Sequence, residues 1–582
     1  MFSCQRVNGS HGTYSINLSP SFTSFLLPAP LPTWPQGRGF SVGTINLGEL
    51  EVAEISRFDF VWGSHLSHDK RKNVSFYKPL GIPEGFFSLG HYCQPNGKPL
   101  NGYVLVVKDS GSQIRNNDDS EPVCSPALTI PLDYTLVWNS DEGMGIHDHS
   151  TGYFWVPKPP VGYKALGFVV STQPGKPYLD EVRCVREDLV DDCETCGLLH
   201  ESFSKYRKIS FKVFETRPCN RGMLGKGVSV GTFFCCSSSS SSSSSSSQLG
   251  DKMAVVCLKN KNSKWQHGMP NLDQIHALIH HYGPTIFFHP KEVYFPSSVS
   301  WFFKHGALLF KKAAGESSTG EPINADGSNL PGGGSNDGEY WLDCPCDDRR
   351  KVLMRGNLES TQLYVHVKPA LGGTFTDIAM WVFSPFNGPA TLKIGPTNIS
   401  LRKTGEHVGD WEHFTLRISN FTGELHSVYF SQHSGGVWIS ACDLEFIEGN
   451  RAILYSSRSG HASFPHPGNY LQGSSSLGVG IRNDCSRSNF WLDSSSRYQI
   501  VAAEYLGNDD VAEPPWLQYM REWGPMIVYD SRKEFDKIIK RLPRSIRCSV
   551  ANFVDKLPVE LSKEEGPTGP KEKDNWLGDE RW

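Results

Sequence analysis

The 582-residue sequence has no uninterrupted apolar run approaching the roughly 18 residues of a spanning helix. Neither charge sign is in excess: 57 Lys and Arg against 61 Asp and Glu leave a net charge of −4, which excludes the global basic field of a nucleic-acid binder. The 15 cysteines are odd in number and dispersed, so they describe reduced thiols and not a disulfide framework. The tight pairs Cys193-x-x-Cys196 and Cys344-x-Cys346 differ in gap and do not repeat the spacing of a structural zinc site. The motifs GxxxxGK[ST] and HExxH are missing, and no GxGxxG stands between a strand and a helix. Nothing therefore selects a catalytic residue, and the expectation is a protein that is not an enzyme. Residues 1–37 are Ser-rich and acid-free, but Arg6 is their only basic residue and Pro28 breaks the short apolar run. They read as a flexible leader and not a targeting helix.

What the chain does have is turn chemistry. Its 56 Gly, 38 Pro and 12% aromatic content favour short strands joined by tight turns. Eleven consecutive serines occupy 237–247, a tract with no apolar surface to bury. They place a linker at 201–254, between a module at 38–200 and a second at 255–560, with a charged, mobile tail at 561–582. A Gly-rich insert at 315–338 reads as a surface loop.

The first module carries an internal repeat. FYKPLGIPEGFFSLGHYCQPNGKPL, from Phe76, aligns with FWVPKPPVGYKALGFVVSTQPGKPYL, from Phe154; Gly85, Leu89 and Gly90 match Gly162, Leu166 and Gly167. Matched Pro/Gly punctuation between aromatic and β-branched residues predicts duplicated strand–turn units. A fainter third copy is expected at 34–43.

The second module reads as strands at 362–367, 378–383, 410–418, 425–430 and 498–504. Three helices are expected with them: one capped by Asn271 and ended by Gly283-Pro284, one beginning near Ser298, and one opened by a Ser531/Glu534 capping box. The fold class is thus mainly β: an N-terminal repeat-containing β module followed by a β-sandwich with peripheral helices.

The densest polar motif is Gly405-Glu406-His407-Val408-Gly409-Asp410-Trp411-Glu412-His413. Along a strand, Asp410 and Glu412 share a face with Phe414, Leu416 and Ile418. Two carboxylates at the head of an apolar face need a base or a cation beside them. His407, His433 and His461, each in a Gly- or Ser-flanked turn, complete a candidate site with Asp410 and Glu412. Oxygen ligands with imidazole suit Mg²⁺ or Ca²⁺; the alternative is a purely structural ion-pair network. His289 and Glu292 form a second, looser motif.

The segments LPTWPQGRGFSVGTINLGELEV, FFHPKEVYFPSSVSWFF, FSPFNGP, GEHVGDWEHFTLRISNFTGEL, SQHSGGVW and SGHASFPHPG resemble the plant vacuolar protein sorting-associated protein 62 family, also called the plant domain of unknown function 946. The resemblance implies a non-enzymatic peripheral protein of vacuolar sorting and membrane trafficking. Its partners would be trafficking proteins or membrane headgroups, and its place the cytoplasm or the surface of a vacuolar or endosomal membrane. His407, Asp410 and Glu412 also resemble the metal-holding His-x-His-Asp-Trp-Glu core of necrosis-inducing, cytolysin-like proteins, with Gly409 where that core has its second His. That likeness implies the alternative function, a divalent-metal-dependent module for a lipid or glycan headgroup.

Overall fold

The computed structural model describes the chain except residues 1–3, 7–23, 65–72, 112–124, 143–150, 205–208, 240–254, 313–318, 434, 475–477, 508, 527–530, 555–565 and 581–582. Strands hold 42% of the residues and helices 14%, so the fold is mainly β.

The repeat is visible strand by strand. Phe58–Gly63, Val74–Pro79 and Tyr92–Pro95 form one three-stranded antiparallel sheet; Asp133–Asn139, Tyr153–Lys158 and Val169–Ser171 form its counterpart. Each first strand carries a register shift that sets a Trp opposite a Phe: Trp62 opposite Phe76, and Trp138 opposite Phe154. Gly85 and Gly162 occupy the matching turns at φ 79° and 82°, a conformation that costs glycine little.

The third copy is not at 34–43, where no strand forms. Instead it runs from Val190–Ser204 through Ile209–Pro218 to Phe233–Ser239, and is closed by Val256–Lys259. The pattern of the first two copies hid it because its punctuation differs and the serine run interrupts it. Ser237, Ser238 and Ser239, expected in the linker, are strand residues paired with Phe211, Ser210 and Ile209. Residues 240–254 lie outside the described chain, so the remainder of the serine tract is not placed. Aromatic rings from all three copies meet: Phe76 lies 4.8 Å from Phe154 and 5.0 Å from Phe233, and Phe154 lies 5.0 Å from Phe211. Edge-to-face pairs of this kind add specificity to ordinary apolar burial.

The second half is built on a six-stranded sheet, ordered Gly435–Ser440, Leu425–Gln432, His407–Ser419, Phe375–Asn387, Leu363–Ala370, Tyr498–Ala502. Only the last pair is parallel. One face packs Ile378, Met380, Phe414, Leu416 and Ile418 against Ile286 and Phe288 of a smaller sheet and against the helix Leu272–Tyr282. That helix begins at an Asn271/Gln274 capping box, buries Ile275, Leu278, Ile279 and Tyr282, and stops at Gly283. A second helix, Val299–Lys304, is capped by Ser298 as expected. The helix Ser531–Arg541 forms where expected; the side chain of Ser531, its expected cap, lies outside the described residues, and Glu534 accepts from Arg402 N at 2.7 Å and Thr404 Oγ1 at 2.9 Å.

The boundaries at 200 and 255 do not separate two cores. Leu47, Val107 and Val228 of the first half share one cluster with Ala370, Phe375 and Phe421 of the second. Within the leader, Trp34 packs beside Tyr282 at 6.1 Å and Gln274 donates to Pro35 O. The segment 566–580, expected to be mobile, is docked, with Trp576 buried and stacked 4.0 Å from His366. Cleavage at a protease site engineered into 240–247 is therefore expected to give two fragments that co-elute in native size-exclusion chromatography and part only in denaturant. Separate elution of a folded fragment starting near 250 would refute the shared core.

Candidate functional site

The strand His407–Ser419 begins with a kink. Gly409 has φ 71°, and a Cβ there would lie 2.2 Å from Trp523 O, so only glycine fits. Beyond the kink the side chains alternate as read from the sequence. Trp411 joins the cluster around Trp516 and Trp523, while Phe414, Leu416 and Ile418 enter the sandwich core with Asp410 and Glu412 at the head of their face.

Asp410 is 8% exposed, and its Oδ2 accepts from His461 Nδ1 at 2.8 Å. The other ring nitrogen of His461 is 2.8 Å from Tyr294 O, an acceptor only, so both nitrogens donate and the imidazole is cationic. Burial pulls its pKa down, but the hydrogen bond and charge of Asp410, with Glu292 and Tyr294 O, raise it to about 9. Burial likewise opposes ionisation of Asp410, yet the hydrogen bond and charge of His461 hold its carboxyl below the ordinary range. His461 and Ser459 take positive φ, which turns the ring back toward the strand. His461 is thus the counter-ion of Asp410 and, with both nitrogens engaged, is not available as a metal ligand.

His407 donates from Nδ1 to Gly409 O at 3.1 Å, and its Nε2 faces Asp410 Oδ1 at 4.0 Å. Burial lowers its pKa despite Asp410. Its Nε2 thus lies near a carboxylate oxygen without a direct hydrogen bond to it. Glu412 accepts from Ser431 Oγ, and its pKa is raised by burial and by the charge of Asp410. His433, at φ 58°, bonds Asn483 Oδ1 from Nε2 at 3.0 Å. His407, Asp410, Glu412 and His433 all line one cavity of about 660 Å³. Among the described residues, no group of three or more His, Cys, Asp or Glu side chains is arranged to hold a metal ion.

The outlying motifs resolve differently. Glu292 is buried and accepts from the backbone of Val293, Tyr294 and Ser459, which makes it an organiser of the two loops behind His461. His289 accepts from Lys291 N. The two cysteine pairs do not meet: Cys344 is in the core beneath Trp381, whereas Cys193 sits beside Cys257 in the third repeat.

Sequence reasoning missed the opposite face of the same strand. There His413 Nε2 lies 2.8 Å from Glu580 Oε2, and Thr415 donates to Glu580 Oε1. Arg417 grips Asp377 through two bonds of 2.8 and 2.7 Å and reaches Asp579 at 3.2 Å. Lys368 donates to the carbonyls of Asn575 and Gly578. Burial opposes ionisation of Glu580, but His413, Lys368 and Thr415 hold its pKa at about 2. Residues of 566–580, among them Lys573, Asn575 and Glu580, form one wall of the cavity. No local pattern announces this, because the partners are more than 150 positions apart; the only signal is the pair of Trp residues in a polar tail.

Among the described residues no helix is long and apolar enough to cross a membrane. The sequence model of the family described as vacuolar protein sorting-associated protein 62 matches residues 21–580. Vacuolar protein sorting-associated protein 62 of Saccharomyces cerevisiae is 25% identical over 223 residues, which cover 34% of this chain and 41% of the yeast protein. The match thus spans about two fifths of that relative's length. Solved structures with similarity include GNIP1Aa from Chromobacterium piscinae, 17% identical over 36% of this chain and 37% of its own at a TM-score of 0.25. A second is the non-toxic HaNLP3 protein, 15% identical over 37% and 74% at a TM-score of 0.20.

The Asp410–His461 pair makes stability depend on pH with a definite sign. The raised His461 pKa contributes stability that is complete below the ordinary value of 6.5 and is lost as pH rises through about 9. Asp410→Asn should destabilise by about 3–5 kcal/mol at about pH 6, the scale for stripping one partner from a buried pair. The deficit should shrink as pH rises toward 9. Chemical denaturation of both proteins across that range, in chelator, measures it; a deficit independent of pH would show that the pair is not ionic.

Proposed function

Because the chain belongs to the vacuolar protein sorting-associated protein 62 family, we propose that it acts as a non-enzymatic, peripheral component of vacuolar sorting. The observation that carries this reading is the extent of the family match, residues 21–580, which takes in both halves and the docked C-terminal segment. Their shared core supports a single working unit. Cells depleted of the protein should secrete or mislocalise a vacuolar luminal marker, and re-expression of the full chain should restore its delivery. Normal delivery after complete depletion would refute the role.

A second reading, a divalent-ion-dependent site for a lipid or glycan headgroup, is favoured by one specific feature. His407 Nε2 and Asp410 Oδ1 stand 4.0 Å apart, too far for a hydrogen bond between them. A hard cation bound at about 2.0–2.6 Å from each would fit between them. Glu412, whose pKa is raised by burial and then by the charge of Asp410, is the third group such an ion would relieve. His461, with both ring nitrogens committed to Asp410 and Tyr294 O, would support the ligands and not join them, while His433 bonds Asn483 through Nε2 alone and would be a further candidate ligand. The ion would neutralise the two carboxylates and present open coordination positions to headgroup oxygens in the cavity. Mg²⁺ or Ca²⁺ should then raise the melting temperature of the wild type in a titration, and His407→Ala should abolish the rise. A melting temperature indifferent to both ions would count against this reading and leave the sorting role untouched.

A further inference from the structure

The smaller sheet of the second half ends in the short edge strand Trp491–Asp493, which among the described residues pairs only with Thr285–Phe288. Its buried residue, Leu492, enters the core, but Trp491 is 53% exposed and the preceding Phe490 is 40% exposed. Val293, 50% exposed, lies in the turn between Phe288 and Phe295. Phe288 and Phe295 both flank Phe490, the first through a backbone bond of 2.9 Å and the second through ring contact at 5.1 Å. Exposed apolar residues scattered singly are ordinary; two in succession at a sheet edge left open among the described residues are a liability unless something covers them.

The surroundings say what kind of partner covers them. Arg487 lies over the ring of Phe287, which is the strand partner of Trp491. Lys291 adjoins Val293 through Glu292, and Arg458 N bonds Asp484 O at the rim of the cavity. Among the described residues, none of these three cations is in salt-bridge range of a carboxylate. The nearby acids are engaged elsewhere: Glu292 with backbone amides, Asp484 with Arg482 at 2.6 Å, and Asp493 with Ser495 and Arg451. The edge therefore offers a Trp and a Phe, side chains suited to the bilayer interface, within a rim of unneutralised positive charge.

We infer that this edge is a docking surface for an anionic membrane, with Phe490 and Trp491 entering the headgroup layer and Lys291, Arg458 and Arg487 facing lipid phosphates. The inference deepens the peripheral role proposed above and rests on it. It also sets the cavity mouth, where Arg458 stands, against the lipid surface. Trp491 and Arg487 do not line the cavity, so their substitution leaves the candidate ion site intact.

The test is flotation of the full chain with vesicles of phosphatidylcholine alone and of phosphatidylcholine with phosphatidylserine, in chelator so that no ion site contributes. Wild type should float with the mixed vesicles at low salt, and less at high salt. Arg487→Gln should weaken binding about fivefold, the share of one surface cation. Phe490→Ser/Trp491→Ser should lose flotation while keeping the wild-type melting temperature. A folded double variant that floats like wild type would overturn this surface but leave the peripheral reading standing. Wild type that floats with neither vesicle would also overturn the inference, and the sorting role would then rest on the marker assay alone.

Discussion

Burying Asp410 obliges the chain to bury a positive charge beside it, and much of the second half is arranged to meet that demand. His461 reaches the carboxylate only because Ser459 and His461 adopt left-handed backbone conformations, and those turns are held by Glu292 through Ser459 N. Glu292 in turn fixes Tyr294, whose carbonyl takes the second proton of His461. A residue that cannot ionise alone in a low-dielectric core thus specifies the path of two loops distant in sequence.

The same constraint operates on the other face of the strand, with a different solution. His413, Thr415 and Arg417 project from alternate positions on the face that the C-terminal segment covers. The C-terminal segment supplies Glu580 and Asp579 to pair with them, and Trp576 to cover them. Asp579 also meets Arg221 of the third repeat at 3.1 Å, so one carboxylate bridges the two halves. With the shared apolar cluster, this makes the relative placement of the halves a property of packed contacts and not of a linker.

The two polar systems meet at the cavity, whose walls are drawn from the strand head, from the loops holding His433 and Arg458, and from the docked C-terminal segment. The family relationship supplies the sorting context, and the yeast relative extends well beyond the aligned region.

By itself the sequence determined what short-range physics decides. Alternation along 410–418 put Asp410 and Glu412 on the face of Phe414, Leu416 and Ile418, and the pairing of the strand bears that out. The Asn271 and Ser298 caps, and the equivalent turns at Gly85 and Gly162, were legible because each depends on residues a few positions apart. Only the tertiary structure decided what depends on distant partners. It found the third repeat across the serine run, it seated a polar tail on the sheet, and it turned His461 from a candidate ligand into a counter-ion. In each case the deciding force was the pairing of buried charge or the closing of a shared core. Such forces act between residues that folding brings together, and local spacing does not record them.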